Sequence, residues 1–251
     1  MSHKWMRLRG IFTARAHFGW FHAALSRLRY LNLPGVRALF APIDVVLRRM
    51  ERYTHDQSAR FDLIHGTETF ARLDVAVSDD LLDETRWGYA AINHDFFREI
   101  IRSIPVELSK YTFVDIGSGK GAAVLMASEF PFQRLVGVEL SADLVEISKN
   151  NVLKFNASTG KTLSPDWIQG DFFKWVIPKH PKLFFFNNPF PSDLTLDAIR
   201  RLESALIEHP RPALLVFRKA PQSTGDYLHR SRYWKPLRLT PYWRVYESVA
   251  V

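Results

Sequence analysis

The run Thr112-Phe113-Val114-Asp115-Ile116-Gly117-Ser118-Gly119-Lys120-Gly121 decides how the rest of the chain is read. Its first half is apolar and of strand length. Its second half is a glycine-rich loop that opens the apolar helical stretch from Ala122 onward. Glycines let a backbone turn sharply and approach a ligand closely, and the free N–H groups of a helix start favour a negative group. Gly117-x-Gly119-x-x-Ala122 also satisfies a dinucleotide fingerprint, so the loop alone leaves the ligand open.

Outward from this loop, apolar runs alternate with helical periods. Thr112 to Ile116, Arg134 to Leu140, Trp167 to Gly170, Leu183 to Asn187 and Ala213 to Arg218 read as strands. Gly121 to Phe130, Ala142 to Leu153 and Leu194 to His209 read as the helices between them. Ala90 to Ile104 reads as a preceding helix with Ile92, Phe96, Ile100 and Ile101 inward and Pro105 as its stop. This alternation predicts a Rossmann-like α/β fold, a mostly parallel sheet with helices on both faces. Tyr233 to Leu239 and Trp243 to Val249 are joined by Thr240-Pro241-Tyr242, with no room for a crossover helix, so the fold should close on an antiparallel C-terminal hairpin.

Acids at the strand ends narrow the ligand. Asp115 precedes the first glycine and can reach the loop and the ammonium of a methionine moiety. Glu139 ends the next strand, 22 residues after Gly117, where it can accept hydrogen bonds from both hydroxyls of a ribose. Asp171 and Phe172 follow the third strand, where the acid can accept from an adenine amino group and the ring can cover the base. After the fourth strand comes Asn187-Asn188-Pro189-Phe190-Pro191, at the sheet end where open α/β sheets bind their ligands.

In order and spacing, Asp115-x-Gly117-x-Gly119-x-Gly121, Gly137-Val138-Glu139-Leu140 and Gly170-Asp171-Phe172 resemble the motifs of class I S-adenosylmethionine-dependent methyltransferases, over roughly residues 90–251. Within that class the chain is similar to the non-SET lysine methyltransferases that act on histone. It resembles still more the uncharacterised bacterial proteins that share the Phe-Val-Asp-x-Gly-Ser-Gly-Lys-Gly run. The resemblance implies S-adenosylmethionine as cofactor, held by Asp115, Gly117, Ser118, Gly119, Gly121, Glu139, Asp171 and Phe172. It further implies Asn187, Asn188 and Phe190 as the catalytic edge. Amino-group methyltransferases with an Asn-Pro-Pro-aromatic motif hold the amine on the Asn oxygen and a backbone carbonyl; Asn188-Pro189-Phe190 has one proline fewer. The implied acceptor is an amine nitrogen, of a protein lysine or a small molecule. Histone is not carried over, because no nucleosome-binding element is found. The rival readings are an NAD-dependent oxidoreductase, which should lack the hairpin and the Asn-Pro-Phe edge, and a non-catalytic docking protein built on a cofactor-binding scaffold.

Composition removes other chemistries. The 251 residues are 47% hydrophobic and 24% charged, as in an ordinary globular protein. With no cysteine there are no disulfides, thiolate nucleophiles or cysteine-ligated metals, and the nine histidines show no metal-ligand spacing. His94-Asp95 reads as a helix-entry pair, and no metal is expected. Nothing in the first 30 residues resembles a signal peptide or spans a bilayer, so a cytoplasmic location is expected, with peripheral membrane association as a variant of it.

The net charge of +8 is unevenly placed. Residues 1–60 hold 11 Lys+Arg against 3 Asp+Glu, whereas residues 61–251 hold 23 of each. Stripes at Phe18, Phe21, Leu25 and Leu28 and at Ile43, Val46, Leu47 and Met50 predict helices there. Residues 1–60 are thus expected to form a basic helical extension and 61–251 the catalytic domain. Such an extension suits an anionic membrane surface or nucleic acid, and equally a cover packed on the catalytic domain. A chain starting at Phe61 separates these readings. Docking predicts a soluble protein that keeps cofactor binding and loses binding to anionic liposomes or RNA. An insoluble product, or one that no longer binds cofactor, would make the segment part of the fold.

Overall fold

The computed structural model describes residues 59–70, 91–218 and 220–249. The stripes at 18–28 and 43–50 and the basic segment that carries them lie outside the described residues. Apart from Thr240–Tyr242, the described residues belong to one compact unit. None of their helices is long and apolar enough to cross a membrane, and they hold no cluster of three or more His, Asp or Glu that could bind a metal ion.

The strands are β1 (Thr112–Ile116), β2 (Arg134–Glu139), β3 (Asp166–Gln169), β4 (Lys182–Phe186), β5 (Ala213–Arg218), β6 (Trp234–Leu239) and β7 (Trp243–Ser248). The helices are α1 (His94–Arg102), α2 (Ala122–Ala127), α3 (Ala142–Thr159), α4 (Ser192–Glu208) and α5 (Gln222–Arg230). One sheet runs in the order β3-β2-β1-β4-β5-β7-β6. β1 to β5 are parallel; β7 enters antiparallel to β5 and pairs antiparallel with β6, as the hairpin requires. Pro236 lies in the edge strand β6, where its missing N–H costs no central ladder bond.

Burial explains the central strands. All five residues of β1 and of β4 are buried, the signature of strands covered on both faces. Alternate side chains feed two layers. Val114, Ile116, Phe184 and Phe186 join a core closed by Ala198, Ile199 and Leu202 of α4 and Leu228 of α5. On the other face the Phe97 ring of α1 meets Phe113 at 5.8 Å and Phe185 at 5.3 Å. The register sets Ile116 beside Phe186, so the glycine loop after β1 and the Asn-Pro-Phe run after β4 leave the sheet at one level.

Several boundaries differ from the sequence reading for local reasons. α1 begins at His94 because Asn93 caps it, accepting from the Phe96 N–H at 3.1 Å; Phe97 is buried, and Phe96 is half-buried with its ring 5.3 Å from Trp243. α2 stops at Ala127, where the N–H groups of Ser128, Glu129 and Phe130 bond back three residues and the Ser128 hydroxyl takes the Leu125 carbonyl. α3 runs on to Thr159 and ends on Gly160 at φ 68°, a left-handed cap. α5 was not anticipated, since Gln-Ser-Thr-Gly-Asp carries little helical signal.

Lys182 opens β4 at the end of the sheet opposite the glycine loop. It is 1% exposed and its Nζ donates to the carbonyls of Pro178 and His180. Burial, with a smaller contribution from Arg211, lowers its pKa to about 7 from the ordinary 10.5. The unfolded chain keeps that proton to higher pH, so the cost of burying the charge is full below about pH 7 and is relieved as pH rises. Urea unfolding of wild type and Lys182→Met should show the difference moving in favour of wild type between about pH 7 and about pH 9. A pH-independent difference would contradict this reading.

Candidate active site

The glycine loop is held by its neighbours' backbone and by α3. Gly117, Gly119 and Gly121 take φ of 71°, 53° and 82°, the left-handed region that side chains disfavour. The N–H groups of Gly117 and Ser118 both donate to the Val138 carbonyl at the end of β2, at 2.9 and 3.0 Å. A Cβ on Gly121 would lie 2.8 Å from the Trp167 ring, and one on Gly137 only 2.3 Å from it. Trp167 of β3 therefore fills the space that two missing side chains leave. From α3, the Ser148 hydroxyl donates to the Gly119 carbonyl at 2.8 Å, and the Asn151 amide donates to the Lys120 carbonyl at 3.0 Å. Asn151 also accepts from the Glu68 N–H at 2.8 Å, tying segment 59–70 to the loop. Ser148 and Asn151 were missed by sequence reasoning. Their signal was two polar residues on the inward stripe of Val145, Val152 and Phe155.

The acids flank this loop differently. Asp115 is 3% exposed, and among the described residues nothing donates a hydrogen bond to its carboxyl. Burial, and secondarily the charge of Glu139, raises its pKa well above the usual carboxylate range. Glu139 is half-buried and bridges loop and strand end, accepting from the Gly119 N–H at 2.8 Å and the Ser141 N–H at 2.9 Å. A carboxylate has further lone pairs, so these two bonds leave it able to accept from a ligand. Asp171 caps the short turn Phe172–Lys174 by accepting from the Phe173 N–H at 2.9 Å. Phe172 is 4% exposed in the core, with its ring 6.0 Å from that of Phe190. It is thus packed inward rather than open to a base; the exposed apolar side chain at this edge is Leu140. Ser118 is buried, and its hydroxyl has no partner.

The run after β4 meets the loop directly. A Cβ on Gly117 would lie 2.6 Å from the Cβ of Pro189, so only glycine admits this contact. Asn187 reaches to the neighbouring strand: its Oδ1 accepts from Arg218 Nη1 at 2.9 Å. Asn188 takes φ 59°, the single positive φ outside glycine among the described residues, and its side chain bonds to none of them. Such strain costs about 1–3 kcal/mol and persists where surroundings enforce it. Phe190 is half-buried against Phe172 and Phe173 and supports the run from beneath. The structure therefore brings Asp115, Gly117, Ser118, Gly119, Gly121, Glu139 and Asn188 to one edge. Phe172 and Phe190 are packed below it, and Asn187 is committed to Arg218. Arg218, at the end of β5, was read only as a strand terminus.

Residues 83–194 match the family model for the histone methylation protein DOT1, a segment that contains the glycine loop, Glu139, Asp171 and the Asn-Pro-Phe run and is less than half of the chain. No curated protein matches the chain. Among solved structures it is similar to an RNA methyltransferase from Salinibacter ruber in complex with S-adenosylhomocysteine, at 19% identity and TM-score 0.39, covering 61% of this chain and 89% of that one. It is similar to the magnesium protoporphyrin IX methyltransferase of Synechocystis PCC 6803 with bound S-adenosylmethionine, at 14% identity and TM-score 0.46, covering 77% and 90%. The glycopeptide N-methyltransferase MtfA aligns at 13% identity and TM-score 0.45, covering 71% and 100%. Residues 83–194 thus match a methyltransferase family model, and the sheet, with one reversed strand beside β5 and a glycine loop at the end of β1, is a Rossmann-like α/β fold.

Proposed function

We propose that the methyl group is transferred to an amine nitrogen, with Asp115 and Glu139 holding the donor and Asn188 orienting the acceptor. The observation that carries this is the contact of Gly117 with Pro189. It sets a buried, unpartnered acid on one side and an unpartnered asparagine on the other. A buried carboxyl without a hydrogen bond fits a ligand that brings positive charge, because only a cation or a proton offsets the burial of its charge. The donor has that character, carrying an ammonium and a sulfonium.

When bound, S-adenosylmethionine supplies an already activated methyl group, so the protein's task is alignment more than acid–base chemistry. Glu139, fixed by the Gly119 and Ser141 N–H groups, is positioned to accept from ribose hydroxyls. Asn188 offers a carbonyl oxygen that accepts an N–H, which suits an amine better than a carbon acceptor. Its left-handed backbone, uncommon outside glycine and least unfavourable for asparagine, holds the side chain at the loop. An alkylamine must react neutral, and desolvation at an edge supported by the half-buried Phe190 ring favours the neutral form. A protein lysine and a small amine both meet these requirements.

Two measurements test the reading. Binding a cationic donor should ionise Asp115, so affinity for S-adenosylmethionine should rise with pH through the raised pKa of that acid and binding should release a proton. Calorimetry in buffers of different ionisation enthalpy reads the proton directly. Asp115→Asn should abolish its release and weaken binding about tenfold or more. Absence of proton release at every pH below about 7, the range where the donor's own amine stays charged, would remove Asp115 from the role.

For the acceptor side, Asn188→Gly keeps the backbone conformation while deleting the side chain. Turnover with tritiated donor on amine acceptors should fall roughly tenfold to a thousandfold at unchanged donor affinity. Asn188→Ala should add a loss of stability from the positive φ. Full turnover in Asn188→Gly would leave the asparagine with a turn role only.

A further inference from the structure

We infer that Arg218 forms an acceptor subsite that binds a carboxylate, so that the methylated amine belongs to an amino-carboxylate molecule. The inference rests on the amine-methyltransferase reading and deepens it. Arg218 ends β5 at the carboxyl edge of the sheet, one strand beyond the run that carries Asn187 and Asn188. Its guanidinium is held in place from two sides. Nη1 donates to Asn187 Oδ1 at 2.9 Å, and the group lies over the Phe96 ring at 5.8 Å. Its charge is nevertheless uncompensated. Nε is buried with no hydrogen-bond partner, and no described carboxylate lies within ion-pair distance of the side chain. Burial lowers its pKa, the sign of a charge poorly served by its surroundings.

Arg218 is half-buried with its Nε out of water, and a guanidinium N–H removed from water is normally offset by a carboxylate or another acceptor. Arg218 has one acceptor, on Nη1, and its Nε–Nη2 edge has none. That edge is the face of a guanidinium that matches the two oxygens of a carboxylate. A single positive charge is balanced by a carboxylate, whereas a phosphate dianion would leave excess negative charge. The Asn187 bond holds the fork, and the register of β4 with β5 places Arg218 next to Asn187, one residue before Asn188 in the chain. An acceptor anchored by its carboxylate at Arg218 would present a neighbouring amine toward the loop.

The test is a titration of the full chain saturated with S-adenosylhomocysteine, followed through the Arg218 Nε–Hε resonance, with Arg218→Lys used for assignment. Acetate should shift that resonance saturably, and phosphate at equal ionic strength should bind more weakly. Arg218→Lys, which keeps the charge and loses the fork, should bind acetate about tenfold more weakly when both proteins are titrated by calorimetry, with S-adenosylhomocysteine affinity within roughly twofold of wild type. No response to acetate would overturn the subsite, and stronger binding of phosphate would overturn the carboxylate assignment. A resonance already shifted by S-adenosylhomocysteine and insensitive to acetate would give the arginine to the donor's own carboxylate. Failure of the underlying reading appears separately, as absence of S-adenosylhomocysteine binding. For turnover, amines carrying a carboxylate should be preferred over the same amines without it in wild type, and this preference should vanish in Arg218→Lys.

Discussion

The carboxyl edge of this sheet depends on one close approach, the backbone at Gly117 against the side chain of Pro189. Any side chain at Gly117 would hold the two loops apart. The contact brings the glycine loop after β1, with the acid at the end of β2, against the Asn-Pro-Phe run after β4. The parallel register of β1 and β4 makes it possible, because both strands end at the same level. Close packing beneath carries the constraint down: Trp167 lies over the spaces at Gly121 and Gly137, and Ser148 and Asn151 hold the loop's carbonyls from α3. Interiors at this density do not deform continuously, so the loop has little freedom to relax away from the edge.

Charge is arranged around that contact with the same economy. Among the described residues Asp115 is a buried acid with no donor, and Arg218 is a half-buried base whose Nε is buried and that has no carboxylate partner. They lie on β1 and β5, on either side of β4, two strand spacings or about 10 Å apart. Each alone would be a cost to the folded protein. Together they frame a position at which a ligand positive on one side and negative on the other would be stabilised. Glu139 differs from both: each of its oxygens accepts one backbone N–H, so it shapes the loop while keeping lone pairs free.

Away from the edge, the polar interactions are structural. Glu203 of α4 accepts from the Tyr227 hydroxyl at 2.6 Å and the Ser231 hydroxyl at 2.7 Å, locking α5 onto α4. The Asp62 carboxylate accepts from the hydroxyls of Thr67 and Thr69 and from the N–H groups of Thr69 and Phe70. Asn151 then joins that segment to the glycine loop. Strain at Asn188 is tolerated because the run is fixed on both sides of it, by Asn187 bonded to Arg218 and by Pro189 against the loop.

Legible in the order of residues were the strand pattern, the parallel sheet with its reversed terminal hairpin, the glycine loop and the acids at the ends of β1 and β2. These features are local: they follow from apolar period, glycine placement and the lack of room for a crossover between residues 239 and 243. Tertiary structure alone decided what depends on direction and partnership. Phe172 and Phe97 were assigned their packing by helix phase and strand twist, which neighbouring residues in sequence do not specify. Ser148 and Asn151 became supports of the loop only once α3 was laid across it. Arg218 and Asn187 stand 31 positions apart, and only the pairing of β4 with β5 makes them partners. A lone arginine at a strand end carries no signal; its uncompensated charge exists only where burial has removed it from water.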